Sequence, residues 1–367
     1  AAWLDAVGMG REALAQAFAA GDPVMTARLV GREGRAAFEA GELRTVERWI
    51  TALPPDTRQS DLEIASLDGW CRFYTGDLAG CAAIATRAAA TPGDRSAARG
   101  RLLVLLALVG TTTRPDAEAL AREGIDLVGD DNLFRSLGLQ AAGLSQLARG
   151  DVAESLETLR GAFDAAEGSG VPIAVLPAVN PLGHALVASG RRDEAERAAR
   201  RVLAAHPGPH GEPLAIAWPA RLTLGIALFE GGDVVEARGE RERGLATAES
   251  LGVGHEVLGW ALPAIAMARQ ATGDARGALD ILERGPTPAM SFPSLAGETE
   301  ARIRLAQGDL SWASRWADEA ATEAPEGSPL FAILRASADT TVARIRLAEG
   351  RPADALRALE LACATFE

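Results

Sequence analysis

A glycine followed by an acidic residue recurs at near-constant intervals along this 367-residue chain, and nothing else in the sequence constrains its fold as tightly. Gly21-Asp22, Gly76-Asp77, Gly150-Asp151, Gly232-Asp233, Gly273-Asp274 and Gly308-Asp309 repeat the pair outright. Gly41-Glu42, Gly190 with Asp193, and Gly350 with Asp354 are variants. Glycine supplies the left-handed backbone that ends one helix, and aspartate caps the free N–H groups of the next. Each pair therefore predicts a tight turn between two helices. From Gly41 to Gly76 is 35 residues, and a degenerate copy near Gly110 follows after 34. The later steps, through Gly150, Gly190, Gly232, Gly273, Gly308 and Gly350, measure 40, 40, 42, 41, 35 and 42. Two helices and two turns need a unit of about this length, roughly 34–47 residues.

The positions around each turn carry a packing rule. Seven residues before it sits a small residue: Gly34, Gly69, Gly143, Gly183, Gly225, Ala266, Ala301 and Ala343. Five residues after the later turns sits alanine: Ala195, Ala237, Ala278, Ala313 and Ala355. Small residues on both arms let two helices approach closely. The second helices are amphipathic; Ala195, Ala198, Ala199, Val202 and Leu203 fall on one face while Glu194, Glu196, Arg197, Arg200 and Arg201 take the other. A single hairpin cannot bury such a stripe, whereas stacked hairpins can. Composition agrees: alanine, the best helix former, supplies roughly a fifth of the chain, and aromatic residues only 5%. The expected fold is all-α, a right-handed superhelix of helical hairpins with a concave inner side. Residues 1–60 are expected to lead into a continuous array over 61–367.

This spacing around the turn resembles tetratricopeptide repeats over roughly residues 30 to 365, with units longer than that family's in the second half. A second resemblance lies at the start. It rests on Ala20-Gly21-Asp22, Ala27-Arg28-Leu29, Gly41-Glu42-Leu43, Trp49-Ile50-Thr51-Ala52-Leu53-Pro54, Leu67-Asp68-Gly69-Trp70 and Thr75-Gly76-Asp77-Leu78. These segments look like the opening of the helical sensor region of large ATP-binding LuxR-type transcription regulators, the MalT-like group. The resemblance implies a P-loop ATPase upstream, a helix-turn-helix domain downstream, and self-association in the active state. The start at Ala1, without Met, is read as an excised piece of such a longer protein.

Several chemistries are poorly supplied. The net charge is −13, with 37 basic and 50 acidic residues, so direct nucleic-acid binding by this piece is not expected. Every basic residue is Arg; no Lys occurs, which leaves no P-loop or Schiff-base lysine. Neither a GxxxxGK[ST] nor a GxSxG sequence is present. Gly252-Val253-Gly254-His255 follows a predicted helix and not a strand, which reads as a loop. His206-Pro207-Gly208-Pro209-His210 is likewise read as a surface loop, and His255-Glu256 lacks the second histidine of a zinc helix. The charged run Glu236 to Arg243 is read as solvated pairs. Cys71, Cys81 and Cys363 make no disulfide framework, so a reducing, cytoplasmic setting is expected. The apolar run Leu102–Val109 is too short to cross a membrane, and no leader is visible. No enzymatic activity, cofactor or metal site is expected.

Recognition on the concave side is what remains. Carried over from tetratricopeptide repeats, the inward positions fall 13, 10, 6 and 3 residues before each turn glycine. They give Glu63, Ser66, Trp70 and Phe73 in an early repeat, then Gln140, then Asn180 with His184. Later repeats offer Trp260, Met267 and Gln270, then Glu298 with Arg302, and Thr340 with Arg344. Trp218 joins as a flat apolar wall. The chain has only two Asn and four His, so Asn180 and His184 on one inward face stand out. Pro177, Pro181, Pro219, Pro263 and Pro293 are expected to bend or delay the first helices and widen the inner space. The ligand-binding set is thus Trp70, Gln140, Asn180, His184, Trp218, Trp260, Met267, Glu298 and Arg302. The expected partner is a small-molecule inducer, or alternatively a peptide or protein bound to a scaffold.

Overall fold

The computed structural model describes residues 1–90, 94–111, 114–208, 211, 213–253, 261–285, 293–320 and 331–364. Among them the regular elements are helices, and pairing between extended segments is limited to an isolated bridge, Pro207 to Pro213. Two short helices, α1 (Ala2–Ala6) and α2 (Gly10–Ala20), open the chain. The turn glycines then join helices in pairs. Gly41 links α3 (Pro23–Glu39) to α4 (Leu43–Thr51), and α5 (Pro55–Ser60) follows. Gly76 links α6 (Leu62–Thr75) to α7 (Leu78–Ala89). Next come α8 (Ala97–Gly110) with α9 (Ala117–Val128), α10 (Asn132–Arg149) with α11 (Val152–Ser169), and α12 (Pro172–Ala188) with α13 (Arg192–Ala205). A 3-10 turn, Ala215–Ala217, leads into α14 (Trp218–Gly231) and α15 (Val234–Ser250). The array closes with α16 (Ala261–Ala271) and α17 (Ala275–Leu282), α18 (Pro293–Ala306) and α19 (Leu310–Ala320), and α20 (Phe331–Ala348) with α21 (Pro352–Ala364).

The turns form for the reason the sequence suggests. Gly76 has φ +91° and Gly150 φ +91°; in both, the following aspartate N–H reaches back to the last full helical turn, Asp77 to Arg72 O at 2.9 Å and Asp151 to Gln146 O at 3.0 Å. The aspartates Asp22, Asp77, Asp274 and Asp309 cap the next helix through their side chains. Asp151 and Asp233 make no such side-chain bond. Gly110 departs from the rule: it ends α8 without a positive φ, so the degenerate copy is not a glycine turn.

The small-residue rule is a contact rule. A Cβ on Gly34 would stand 2.8 Å from Leu67, one on Gly69 2.7 Å from Leu105, and one on Gly183 2.2 Å from the Thr223 methyl. Those neighbours lie on the first helix of the next repeat. Gly143 and Gly225 instead face their own second helices, at Leu159 and Arg241. Ala195, Ala237, Ala278 and Ala313 are fully buried, and Ala355 is 1% exposed. The proline expectation holds only in part. Pro219 and Pro293 fall in the first turns of their helices, but α12 runs unbroken through Pro177 and Pro181.

The superhelix winds tightly enough for helices two or more repeats apart to touch. Phe38 on α3 stacks on Phe134 of α10, with ring centroids 6.5 Å apart, and the Tyr74 hydroxyl donates to the Ile173 carbonyl at 3.4 Å. Farther along, α20 returns against α10. The first helices α10, α12, α14, α16, α18 and α20 thereby close a ring. No helix among the described residues is long and apolar enough to cross a membrane.

Candidate ligand site

The expected ligand residues separate into three places. The first is the early groove, which is largely filled. Trp70 is 1% exposed and donates its indole N–H to the Arg101 carbonyl at 3.2 Å. Its ring packs edge-on against Phe73 and Phe134, at 5.6 and 5.2 Å. Trp70 thus serves packing, because the close approach of α3 and α10 leaves no gap for a flat ligand. A cleft of about 290 Å³, part of it open to solvent, survives beside Glu63, Ser66 and Arg101. Arg101 bridges its far side, donating to Ser66 at 3.2 Å and pairing with Glu63. The cleft's enclosed space is only about 40 Å³, far below the roughly 300–1,000 Å³ of small-molecule pockets. Gln140 is also buried, and its amide donates to the Ser136 hydroxyl of the same helix at 3.2 Å.

The second place lies where α12, α14 and α15 meet. Asn180 and His184 are both half-buried and one turn apart on α12, as the register expects. The Asn180 amide donates to the Thr223 hydroxyl on α14 at 3.1 Å, and that hydroxyl donates on to the Pro219 carbonyl. Proline cannot donate an N–H, and Pro219 stands at the start of α14, so no intrahelical bond is lost. Burial, aided by the charge of Arg241, pushes the His184 imidazole down to about 4, which leaves it neutral at pH 7. Arg241 reaches this region from α15, and its guanidinium lies 4.8 Å from the centre of the Phe229 ring. The charged run Glu236–Arg243 is therefore not all solvated. Glu240 and Arg241 are 9% and 3% exposed, and Glu240 accepts from Arg221 at 2.8 Å. Sequence reading missed both, because a run of charges looks alike whether or not a glycine, here Gly225, lets one of them inward.

The third place joins α18 to α20. Glu298 is 2% exposed and accepts from Ser337 at 2.8 Å and Thr341 at 2.9 Å, with Arg302 at 3.9 Å on its own helix. Trp218 and Met267 both lie half-buried against the cluster formed by Leu245, Leu262 and Ile265, so they share one apolar wall. Gln270 accepts from Gln307 at 2.9 Å, Thr340 bonds the Ser337 carbonyl, and Arg344 is exposed. Trp260, with His210, His255 and Glu256, lies outside the described residues. His206 sits in a loop, as read, with its carbonyl accepting from Leu214 at 3.0 Å. Among the described residues no group of three metal-ligating side chains converges.

Stacked hairpins with glycine turns, small residues at their crossings and a polar inner face define a helical-repeat sensing and interaction domain of the tetratricopeptide class. The family model for the MalT-like TPR region matches residues 100–362, and the chain belongs to that family. Among solved structures it is similar to a Rap protein complexed with competence and sporulation factor: TM-score 0.65, 13% identity, covering 94% of this chain and 98% of that one. It is also similar to the Cut9-Hcn1 hetero-tetramer of the APC/C, with TM-score 0.55, 13% identity, and 88% and 56% of the two chains covered. Human IFIT1, in a dimer with PPP-AAAA, gives TM-score 0.54 at 14% identity, covering 98% and 88%. At these identities the likeness is one of fold. No curated protein matches the sequence.

Proposed function

We propose that this chain is the signal-receiving region of a cytoplasmic, ATP-dependent LuxR-type transcription regulator. It holds an inducer on the inner side of its ring and relays that event to ATPase and helix-turn-helix domains elsewhere in the protein. The observation that carries this reading is the return of α20 onto α10. A ligand inside a closed ring touches repeats distant in sequence, so binding one curvature better than another shifts the whole array between two states. Membership of the MalT-like family supports the setting, and a Rap protein of similar fold complexed with competence and sporulation factor supports the role. The inducer is a small molecule or a short peptide resting on Asn180, His184, Met267 and Arg302. The proposed binding set retains Trp218 and Glu298 as walls and Trp260 by its place in the sequence register, whereas Trp70 and Gln140 serve packing.

A second reading, a scaffold for a peptide or protein partner or for self-association, is favoured by one feature. Leu356 and Leu359, neighbours on one face of α21, are 58% and 40% exposed, an apolar pair open to a partner. Thermal unfolding against sugars, amino acids, organic acids and short peptides separates the two. A ligand at a hundred times its dissociation constant adds about 2.7 kcal/mol, and His184→Ala should remove that gain. If none of these ligands stabilises the chain while a protein partner does, the scaffold reading replaces the receptor.

A further inference from the structure

Among the described residues, Arg241 is a buried cation without a counter-ion. It is 3% exposed, yet its single hydrogen bond among the described residues runs from Nη1 to the Ala264 carbonyl at 2.5 Å. Its Nε is sealed from solvent with no acceptor. Among the described residues, the carboxylate that acts on it is the exposed Glu230, which makes no ion pair with it. Burying a guanidinium and leaving donors unused costs several kcal/mol, and every other buried arginine here avoids that cost. Arg101 is paired with Glu63, and Arg346 with Asp318 and Glu349.

The surroundings show how the side chain gets there. Gly225 on α14 has no side chain; a Cβ there would stand 2.5 Å from Arg241 Cγ and 3.0 Å from the Ala237 carbonyl. The arginine stem passes through this gap from the outer helix α15 to lie over Phe229, which occupies an inward register position three residues before its turn glycine. His184, at the inward position of α12, faces the same charge and is held neutral. Phe229 and His184 are both half-buried, so the site meets solvent at their edges. Asn180 and Thr223 lie one turn away from His184 and add an amide and a hydroxyl.

We propose that Arg241 is the anchor for a carboxylate of the ligand, bound on the inner face between His184 and Phe229. This deepens the receptor reading and rests on it, since it names the chemistry of the inducer. One guanidinium with a neutral imidazole beside it suits a single negative charge, and Nη2, neither bonded within the described residues nor sealed like Nε, is the donor a carboxylate would meet first. The carboxylate belongs either to a small organic acid or to a peptide terminus.

The test uses the whole chain and two variants, Arg241→Met and Arg241→Lys. Thermal unfolding is followed with succinate, with its diamide, and with sodium chloride at matched ionic strength. A second arm uses a mixture of short peptides with free C-termini against the same mixture amidated. The expected result is stabilisation by succinate or by the free-acid peptides, absent for the diamide and the amides. The arm that responds tells an organic acid from a peptide terminus. Arg241→Met should weaken the responding ligand at least tenfold while unfolding at the wild-type temperature or above, because it removes a buried, unpaired charge. Arg241→Lys should keep part of the binding. The proposal is overturned if carboxylates stabilise no more than chloride, if Arg241→Met binds them equally, or if that variant is destabilised with no change in ligand response. A neutral ligand that stabilises wild type and Arg241→Met alike overturns this inference and leaves the receptor reading standing.

Discussion

Arg35 on α3 and Asp131 at the head of α10 are 96 residues apart in sequence and form a two-armed ion pair, Nη1 to Oδ2 at 3.0 Å and Nη2 to Oδ1 at 3.1 Å. The same guanidinium lies 4.7 Å from the centre of the Phe134 ring. This clamp sets the pitch of the early superhelix and fills what would otherwise be open groove. A double-mutant cycle with Arg35→Leu and Asp131→Asn should show a coupling of roughly 1–2 kcal/mol by urea unfolding. Coupling indistinguishable from zero would mean that aromatic packing alone holds α3 to α10.

Gly183 and Gly161 should respond oppositely to alanine. At Gly183 the new Cβ meets the Thr223 methyl at 2.2 Å, whereas at Gly161 the nearest atom, on Leu139, is 4.0 Å away. Gly183→Ala should cost about 1–3 kcal/mol as α12 and α14 are pushed apart. Gly161→Ala, in a helix interior with room to spare, should gain up to about 1 kcal/mol. Matched denaturation curves decide it, and a neutral Gly183→Ala would show that the repeats slide past one another at little cost.

His184 sets a pH dependence whose sign follows from its burial. The folded imidazole is pushed down to about 4, against 6.5 in the unfolded chain. Between those values the unfolded state holds a proton that the folded state lacks. The stabilisation is therefore complete above about pH 6.5 and is lost as pH falls toward 4. His184→Gln should flatten the stability profile between pH 5 and 6.5, a range above most carboxylate titrations. If the wild-type imidazole titrates near 6.5 by NMR, His184 is solvated and not buried, and Arg241 exerts no pressure on it.

The turn glycines, the small residues at helix crossings and the family were all legible because each is a local pattern repeated many times. The candidate site was legible only where it shares that register. Asn180 and His184 share the register counted back from Gly190, which sets them one turn apart on α12, both half-buried. Trp70 occupies an equally inward position, but its fate is set by Phe134, sixty-odd residues later, which arrives only once the superhelix closes on itself. Arg241 was hidden among charges of the same run, since what brings it inward is an absent side chain at Gly225 on another helix.

Thiol reactivity gives a direct check on the early core. Burial, with help from Asp68 and Glu47, pushes the Cys71 thiol up to about 12; burial pushes that of Cys81 to about 11. Cys363 is exposed. Because the thiolate is the nucleophile, a native sample should release one equivalent with a disulfide reagent at pH 8 and the other two only on unfolding. Rapid reaction of two or more would show that α6 and α7 open on the assay timescale.

Glu298 is the hinge pin of the ring's last joint, and it offers the sharpest test of closure. One carboxylate oxygen takes the hydroxyl hydrogens of Ser337 and Thr341, so α18 and α20 are tied at a buried point. Glu298→Ala deletes the acceptor and should cost about 1–3 kcal/mol. The global figure matters less than where the protection is lost. If α20 closes onto α10 through this joint, amide exchange should accelerate over Phe331–Ala348 and, at a distance, on α10, because α10 loses its cover. Glu298→Gln, which keeps an acceptor oxygen, should restore most of that protection. Faster exchange confined to α20, with α10 unchanged, would show that the ring contact stabilises neither helix, and the relay through curvature would lose its basis.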